Sequence, residues 1–348
     1  PDNGSTFYLG NGGTTGSLAS ASNISVGSGS TLYFNRSNAM TVANTISGAG
    51  AVSLVTQSGR DWNTDPSAIV TLTGDNTYTG ITYLNPFTQL QLGSGGTTGS
   101  LASSSNIYMH RGTNLITNRS DNITLANYIK NWDSYGPTWN NVDTQSNKFI
   151  QNGTGTVTLS NNSNDFYGKL QAVNGGLTIT GSAGNGQNYV TNNGQAIVFD
   201  TTNATSNNQY INNISGTGTF SVTGTGKLEL YDSRNGTFTG ATTIDSGATL
   251  QLDYGKLGGD ITNNGTLYFY NPQTINYAGV ISGIGNLKQN HGNLTFSGAN
   301  TYTGTTSIGP DNGSTFYLGN GGTTGSLASA SNISIGSDST LYFNRSNA

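Results

Sequence analysis

The sequence predicts an all-β chain folded as a parallel β-solenoid, and three observations lead to this prediction. Short runs of alternating apolar and polar residues recur about every 20 residues, each bounded by turns that contain Gly or Asn. No longer stretch shows the periodicity and the capping residues of a helix. Entire phrases of sequence also recur along the chain, and such repetition is typical of solenoids.

The composition fits the thin core of a solenoid. Hydrophobic residues make up 32% of the 348 residues, and Gly alone occupies 51 positions. Stacked rungs share one continuous core, to which each strand contributes one or two inward side chains, so few large apolar residues are needed. The clearest strand-like runs are residues 31–34, 157–159, 177–180, 250–252 and 266–270.

The chain repeats itself over a long interval. Residues 1–39 recur almost unchanged as residues 310–348, at an offset of 309, with Ile335 in place of Val26 and Asp338 in place of Gly29. We therefore expect residues 1–309 to form one complete unit and residues 310–348 to begin the next. Near-identity over this length predicts a tandem array or a polymer of units, and it argues against a single catalytic domain.

A shorter repeat divides the long unit. The phrase NTYTG at residues 76–80 recurs at residues 300–304, and weaker copies lie within residues 159–170 and 230–243. The spacing of the four copies predicts four unequal sub-repeats of 64–88 residues, each built from solenoid rungs. The glycines that align in the four copies are Gly80, Gly168, Gly240 and Gly304.

The residues of the NTYTG phrase suit a structural turn. The asparagine can satisfy its own turn backbone with its side-chain amide, and the glycine can supply the positive φ of a tight corner. The tyrosine is either an inward aromatic side chain or an outward platform for a sugar, and we favour the inward alternative. The residues concerned are Asn76, Tyr78 and Gly80, with their copies Asn300, Tyr302 and Gly304.

Composition and charge exclude several classes of partner. The net charge is −4 and Lys plus Arg total 12, so the chain has no basic stripe for nucleic acid or an anionic membrane surface. No apolar run approaches the ~18 residues of a membrane span, and we expect no membrane insertion of this segment. The absence of Cys excludes thiolate metal sites, and no glycine-rich calcium nonapeptide occurs. We expect no cofactor and no metal.

Two insertions break the repeat, at residues 58–67 and 130–148, and they contain all three Trp residues of the chain. Loops on a repeat scaffold commonly carry binding specificity. A Trp in a polar loop can stack on a sugar, anchor a neighbouring copy of the chain, or cap its own loop. The candidate contact residues are Arg60, Asp61, Trp62, Trp132, Tyr135 and Trp139.

Carboxylate pairs in the same insertions are the candidates for catalysis. A glycosidase needs two carboxyl groups about 5–10 Å apart, and the loops offer Asp61 with Asp65, or Asp133 with Asp143. Each Asp is better explained as a turn residue or a solubilising charge. We therefore expect no enzymatic activity, and a polysaccharide-degrading β-helix enzyme is the remote alternative.

The recurring phrases resemble a known repeat family. LTGDNTYTGIT at residues 72–82, FSGANTYTGTT at residues 296–306 and the ISGxG phrases at residues 46–50 and 281–285 are similar to the autotransporter-associated β-strand repeat. That family occurs in secreted passenger domains of Gram-negative outer-membrane proteins and in related adhesins. The resemblance implies a right-handed parallel β-helix on the bacterial cell surface.

Two functions follow as hypotheses. The first is an extracellular structural or adhesive fibre segment, whose partners are copies of itself joined end to end or laterally. The alternative is an adhesin passenger that binds surface glycans through its Trp loops. The two hypotheses differ in what the Trp side chains contact.

Overall fold

The computed structural model describes residues 4–20, 22–55, 69–132, 147–182, 189–192, 194–202, 208–231, 237–254, 257–270, 274–309 and 313–347. These residues form strands, turns and bends, and no helix long and apolar enough to cross a membrane occurs among them. The chain divides into two compact units, Pro1–Leu177 and Thr178–Ala348.

The strands of the first unit are short, and most contain three to five residues. They are β1 (Thr6–Leu9), β2 (Ile24–Val26), β3 (Thr31–Asn35), β4 (Met40–Val42), β5 (Ile46–Gly48), β6 (Ala51–Val55), β7 (Ile69–Leu72), β8 (Thr82–Leu84), β9 (Gln89–Leu92), β10 (Ile107–Met109), β11 (Asn114–Thr117), β12 (Ile123–Leu125), β13 (Ile129–Asn131), β14 (Lys148–Gln151), β15 (Val157–Leu159) and β16 (Lys169–Ala172).

Strands of the first unit pair only with strands of other rungs, and every pair is parallel. One sheet has the order β1-β3-β6-β8-β10-β13, and a second has the order β4-β7-β9-β11-β14-β16. β2 pairs with β5, and β12 pairs with β15. Because sequence neighbours lie in different sheets, the chain winds from sheet to sheet and returns to each sheet one rung later.

The strands of the second unit follow the same pattern, with β17 beginning at the last residue of the first unit. They are β17 (Leu177–Ile179), β18 (Tyr189–Asn192), β19 (Ala196–Asp200), β20 (Asn208–Ile211), β21 (Asn213–Gly216), β22 (Thr219–Thr223), β23 (Lys227–Leu230), β24 (Thr237–Phe238), β25 (Thr242–Ile244), β26 (Thr249–Asp253), β27 (Ile261–Asn263), β28 (Thr266–Tyr270), β29 (Thr274–Tyr277), β30 (Ile281–Ser282), β31 (Asn286–Asn290), β32 (Asn293–Phe296), β33 (Thr306–Ile308), β34 (Thr315–Leu318), β35 (Ile333–Ile335) and β36 (Thr340–Phe343).

The sheets of the second unit are also parallel. Their orders are β20-β23-β26-β28-β31-β33-β35, β29-β32-β34-β36, β19-β22-β25-β27-β30 and β18-β21-β24. The parallel β-solenoid predicted from the sequence is therefore confirmed in each unit. The right-handed sense and the division into a 309-residue unit with four sub-repeats stay predictions.

Each core is a set of in-register columns of apolar side chains. In the first unit Leu32 lies opposite Val52, and in the second Leu250, Leu267 and Leu287 form one column. All five side chains are buried. Each fully buried Val or Leu stabilises the fold by about 1.5–3 kcal/mol relative to an exposed one. Few large apolar residues suffice because each one packs against the equivalent residues of the neighbouring rungs.

The asparagine of NTYTG ties consecutive rungs together. Asn76 Oδ1 accepts a hydrogen bond from the Ile46 amide at 3.0 Å, and its Nδ2 donates to Ser100 O at 3.0 Å. Only the third bond, to Gly74 O at 2.8 Å, stays within the same turn. Asn300 repeats this arrangement with the corresponding residues of the second unit. The side chain therefore does more than satisfy its own turn, because it bridges three rungs.

The tyrosines of NTYTG point into the core. Tyr78 and Tyr302 are fully buried, and their hydroxyls lie 2.6 Å from Thr82 Oγ1 and 2.5 Å from Thr306 Oγ1. Burial raises the pKa of both phenols to about 12. These rings are inward aromatic side chains and cannot serve as outward platforms for sugars.

The expected positive φ at the glycines of NTYTG is wrong. Neither Gly80 nor Gly304 has a φ in the left-handed region. A Cβ at Gly80 would instead lie 2.1 Å from Gly50 O, and a Cβ at Gly304 would lie 2.1 Å from Gly285 O. Gly is required because the backbone of the preceding rung passes too close for any side chain.

Replacing Gly80 by Ala should therefore destabilise the first unit by about 1–3 kcal/mol, because the rungs must separate to admit the methyl group. The matched control is Gly96→Ala, since a Cβ at Gly96 meets no atom within 4 Å. The control should change stability by less than about 0.5 kcal/mol. Thermal unfolding followed by circular dichroism measures both, and equal melting temperatures for the two variants would contradict the close approach of the rungs.

The buried tyrosines also predict a loss of stability in alkali. Their folded pKa of about 12 lies above the ordinary tyrosine value of 10.0, so the stabilisation is complete below pH 10 and is lost as the pH rises through 12. The double variant Tyr78→Phe/Tyr302→Phe should lose less stability over this range than the wild type. In Tyr231→Phe, at an exposed tyrosine, the free energy of unfolding should fall with pH as steeply as in the wild type. Urea unfolding at pH 9, 10.5 and 12 measures this dependence. An equal fall of the unfolding free energy with pH in all three proteins would refute the role of the buried tyrosines.

Candidate binding surface

Tyrosines form an outward column on the six-stranded sheet of the first unit. Tyr8 lies opposite Tyr33, Tyr33 opposite Ser53, Ser53 opposite Tyr83, and Tyr83 opposite Tyr108. Parallel register sets these side chains about 4.8 Å apart along the sheet. The rings of Tyr8 and Tyr33 are stacked, with centroids 4.6 Å apart and planes at 15°.

Trp132 packs against this column at its far end. Its ring centroid lies 4.8 Å from that of Tyr83, 5.5 Å from that of Tyr108 and 5.1 Å from that of His110. The rings of Tyr128 and Tyr108 are in turn nearly perpendicular, with centroids 6.4 Å apart. We call Tyr83, Tyr108, His110, Tyr128 and Trp132 the aromatic cluster. Trp132 is its most exposed member, with 42% of its surface accessible.

The position of Trp132 is fixed by its backbone. It follows β13 directly, and its amide donates to Met109 O at 2.9 Å, which extends the pairing of β13 with β10 by one residue. The side chain is thereby held against the outward face of the sheet. It is both anchored by its neighbours and accessible to a ligand.

The cluster combines apolar ring faces with uncharged phenols. Partial burial raises the pKa of Tyr83, with a further rise from the neighbouring Tyr108, and burial likewise raises the pKa of Tyr128. The phenols of Tyr83 and Tyr128 therefore stay protonated at physiological pH and can donate as well as accept hydrogen bonds. Such a surface matches ligands that have an apolar face and a rim of hydroxyl groups.

Five of the six candidate contact residues lie outside the described residues. Arg60, Asp61 and Trp62 fall within residues 56–68, and Tyr135 and Trp139 fall within residues 133–146. The two carboxylate pairs considered for catalysis fall within the same ranges. Trp132 is the candidate that the structure places.

Sequence reasoning missed the tyrosines that surround Trp132. The signal was present, because Tyr8 and Tyr33 are 25 residues apart and so are Tyr83 and Tyr108. A spacing of one rung, at outward positions of alternating strands, predicts side chains stacked along one face. The prediction considered only the insertions as binding loops and so missed the 25-residue spacing of these tyrosines.

A buried charged network in the second unit was also missed. Lys227 Nζ contacts Glu229 Oε2 at 2.8 Å and Gln251 Oε1 at 2.9 Å, and Gln251 Nε2 donates to Asp253 Oδ1 at 2.8 Å. Burial raises the pKa of Asp253 to about 6, and the nearby Glu229 carboxylate adds to the rise. The network joins β23 to β26, and its polar atoms satisfy one another.

Comparison with known sequences identifies the repeats. The passenger-associated-transport-repeat family matches residues 67–85, 220–252 and 287–309. The chain carries autotransporter-associated repeats. Each matched segment contains one copy of the NTYTG phrase, strong in the first and third segments and weaker in the second. The resemblance noted from these phrases is thus confirmed.

These autotransporter-associated repeats also have a curated relative. A stretch of 96 residues is 34% identical to the autotransporter adhesin/invasin TibA of Escherichia coli O78:H11, strain H10407. The match covers 27% of this chain and 9% of TibA, so the chain corresponds to a small part of the relative's length. No solved structure matches the chain.

The raised pKa of Asp253 predicts a pH-dependent gain for Asp253→Asn. The native carboxyl stabilises the fold below its ordinary pKa of 3.8, and this contribution is lost as the pH rises through about 6. At pH 8 the free energy of unfolding of Asp253→Asn should therefore exceed that of the wild type by about 1 kcal/mol, allowing for solvent screening. At pH 5 the gain should be smaller. Urea unfolding at both pH values measures it, and a variant less stable than wild type at pH 8 would show that the carboxylate is needed.

Proposed function

We propose that this chain is a non-catalytic segment of an extracellular passenger on the bacterial surface. Its solenoid serves as a stiff shaft, and its aromatic cluster contacts surface glycans. The passenger-associated repeats and the adhesin relative support the surface location. The exposed ring of Trp132 on a rigid sheet is the observation that carries the binding role.

The chemistry of the cluster favours a sugar over a charged ligand. A pyranose ring has an apolar face of C–H groups and a rim of hydroxyls, and the cluster offers one exposed indole beside the side chains of Tyr83 and Tyr108. Tyr8 and Tyr33 each cover one ring face of the other, and they lack the surrounding rings that hold Trp132 in place. The ligand therefore stacks on Trp132 and forms hydrogen bonds with Tyr83 and Tyr108.

The shaft role follows from the repeat architecture. Every rung hydrogen-bonds to the rungs beside it, and the Asn76 and Asn300 side chains add bonds across several rungs. Such hydrogen-bonded stacking resists separation of the rungs and suits a segment that presents a ligand-binding face at the cell surface. Catalysis of glycoside hydrolysis would require a pair of carboxyl groups at the ligand, and the five residues of the aromatic cluster include no Asp or Glu.

The glycan role predicts that Trp132→Ala weakens binding about tenfold, since the stacked ring is a central contact. The measurement is a screen of the purified chain on a glycan array, followed by titration of any ligand found. Tyr231→Ala is the matched control, because Tyr231 is a similarly exposed aromatic residue outside the cluster. A wild-type chain that binds no glycan, or a Trp132→Ala variant that binds as well as wild type, would contradict the glycan role.

A further inference from the structure

A lysine lies on the same outward face as the aromatic cluster. Lys130 is the middle residue of β13, and it lies directly opposite Tyr108 in the pairing of β13 with β10. Tyr128 and Trp132 are two residues before and two residues after it, so all three side chains leave the backbone on one face. Ile129, between Tyr128 and Lys130, is buried. The side chain of Lys130 therefore starts among three rings of the cluster.

The charge of Lys130 acts on one of these rings. Burial raises the pKa of the Tyr128 phenol, and the positive charge of Lys130 opposes this rise. The Asp165 carboxylate and Tyr108 add smaller rises. Because Coulomb interactions weaken with distance, a charge that shifts this pKa also acts on a ligand held by the same rings.

Lys130 has no ion-pair partner among the described residues. The ion pairs formed there involve Arg119 and Lys227 as cations. Asp165 is the neighbour of Lys130 on the side away from Tyr108, in a single parallel bridge, but the two side chains form no ion pair. Lys130 is half-buried, and partial burial of a charge costs free energy unless an opposite charge pairs with it. An anionic group of a ligand would supply that charge.

We propose that the glycan bound by the aromatic cluster carries an anionic substituent, a carboxylate or a sulfate, and that Lys130 binds this group. The sugar ring stacks on Trp132, and the substituent is directed along β13 toward the ammonium group. Uronic acids, sialic acids and sulfated sugars share this chemistry. The inference deepens the proposed function and rests on it, because the stacked sugar brings the anion to Lys130.

The properties of lysine suit an anion carried beside the sugar ring. Its ammonium group is a compact charge on a flexible four-carbon stem. Lys130 and Trp132 are two residues apart on an extended backbone, a distance of about 6.6 Å that such a stem can span. The net charge of the chain is −4, so the chain as a whole does not attract anions. A preference for acidic glycans would therefore come from this local charge.

A glycan array tests the preference when each acidic glycan is printed beside its neutral counterpart. The pairs are uronic acids with their carboxyl-reduced forms, sialylated with desialylated glycans, and sulfated with desulfated glycans. The wild-type chain should bind the acidic member about fivefold more tightly, as expected for one partly exposed ion pair. The preference should fall as NaCl is added. The three kinds of pair show which anion is preferred.

Substitutions separate the role of the charge from that of the ring. Lys130→Gln should bind both members of a pair equally, with about the wild-type affinity for the neutral member, whereas Lys130→Arg should keep the preference. Trp132→Ala should lose affinity for both members. Lys148→Gln removes a charge from β14, which lies in another sheet of the same unit, and should bind like the wild type. Circular dichroism checks the fold of each variant.

Equal wild-type affinity for acidic and neutral members would overturn the inference, and so would a Lys130→Gln variant that keeps the preference. A preference that is lost in Lys148→Gln as well would show a general effect of charge and would also overturn it. In each of these cases the glycan role stands if Trp132→Ala weakens binding. A wild-type chain that binds no glycan would overturn the glycan role and this inference together.

Discussion

The structure depends on parallel register between consecutive rungs. Strands of one rung pair only with strands of other rungs, so a shift of one residue would turn each inward column outward. Two devices in the NTYTG phrase secure this register. Asn76 hydrogen-bonds the backbone of the rungs before and after its own, and the missing Cβ of Gly80 lets the preceding rung approach. Asn and Gly therefore act together with the apolar columns to hold consecutive rungs in register.

The same register places the surface features. Once inward positions are fixed, alternate residues point outward, and equivalent residues of successive rungs lie one strand spacing apart. The tyrosine column and the aromatic cluster are consequences of this rule. A surface of this kind gains function by placing a suitable side chain at one outward position, without altering the fold. Trp132 is such a residue, since it extends an existing row of rings.

The fold was predictable because its signals are local and repeated. Alternating runs such as residues 31–34 and 266–270 mark strands, and recurring phrases mark rungs. The role of Gly80 was not predictable, because a close approach of backbones 30 residues apart leaves no local trace. The tyrosines around Trp132 did leave a trace in their 25-residue spacing, but this spacing indicates one shared face only when it is compared with the length of a rung. The Glu229–Asp253 contact likewise depends on the pairing of β23 with β26.

Amide hydrogen exchange at Ile46 tests the rung register most directly. Its amide is bonded to the side chain of Asn76, 30 residues later, and only stacked rungs bring these groups together. In wild type we expect this amide to be strongly protected, and in Asn76→Ala we expect its exchange to accelerate at least tenfold, a loss of about 1.4 kcal/mol. Asn174→Ala, at an exposed asparagine, should leave it unchanged. An Ile46 amide that exchanges equally fast with and without Asn76 would contradict the stacked register.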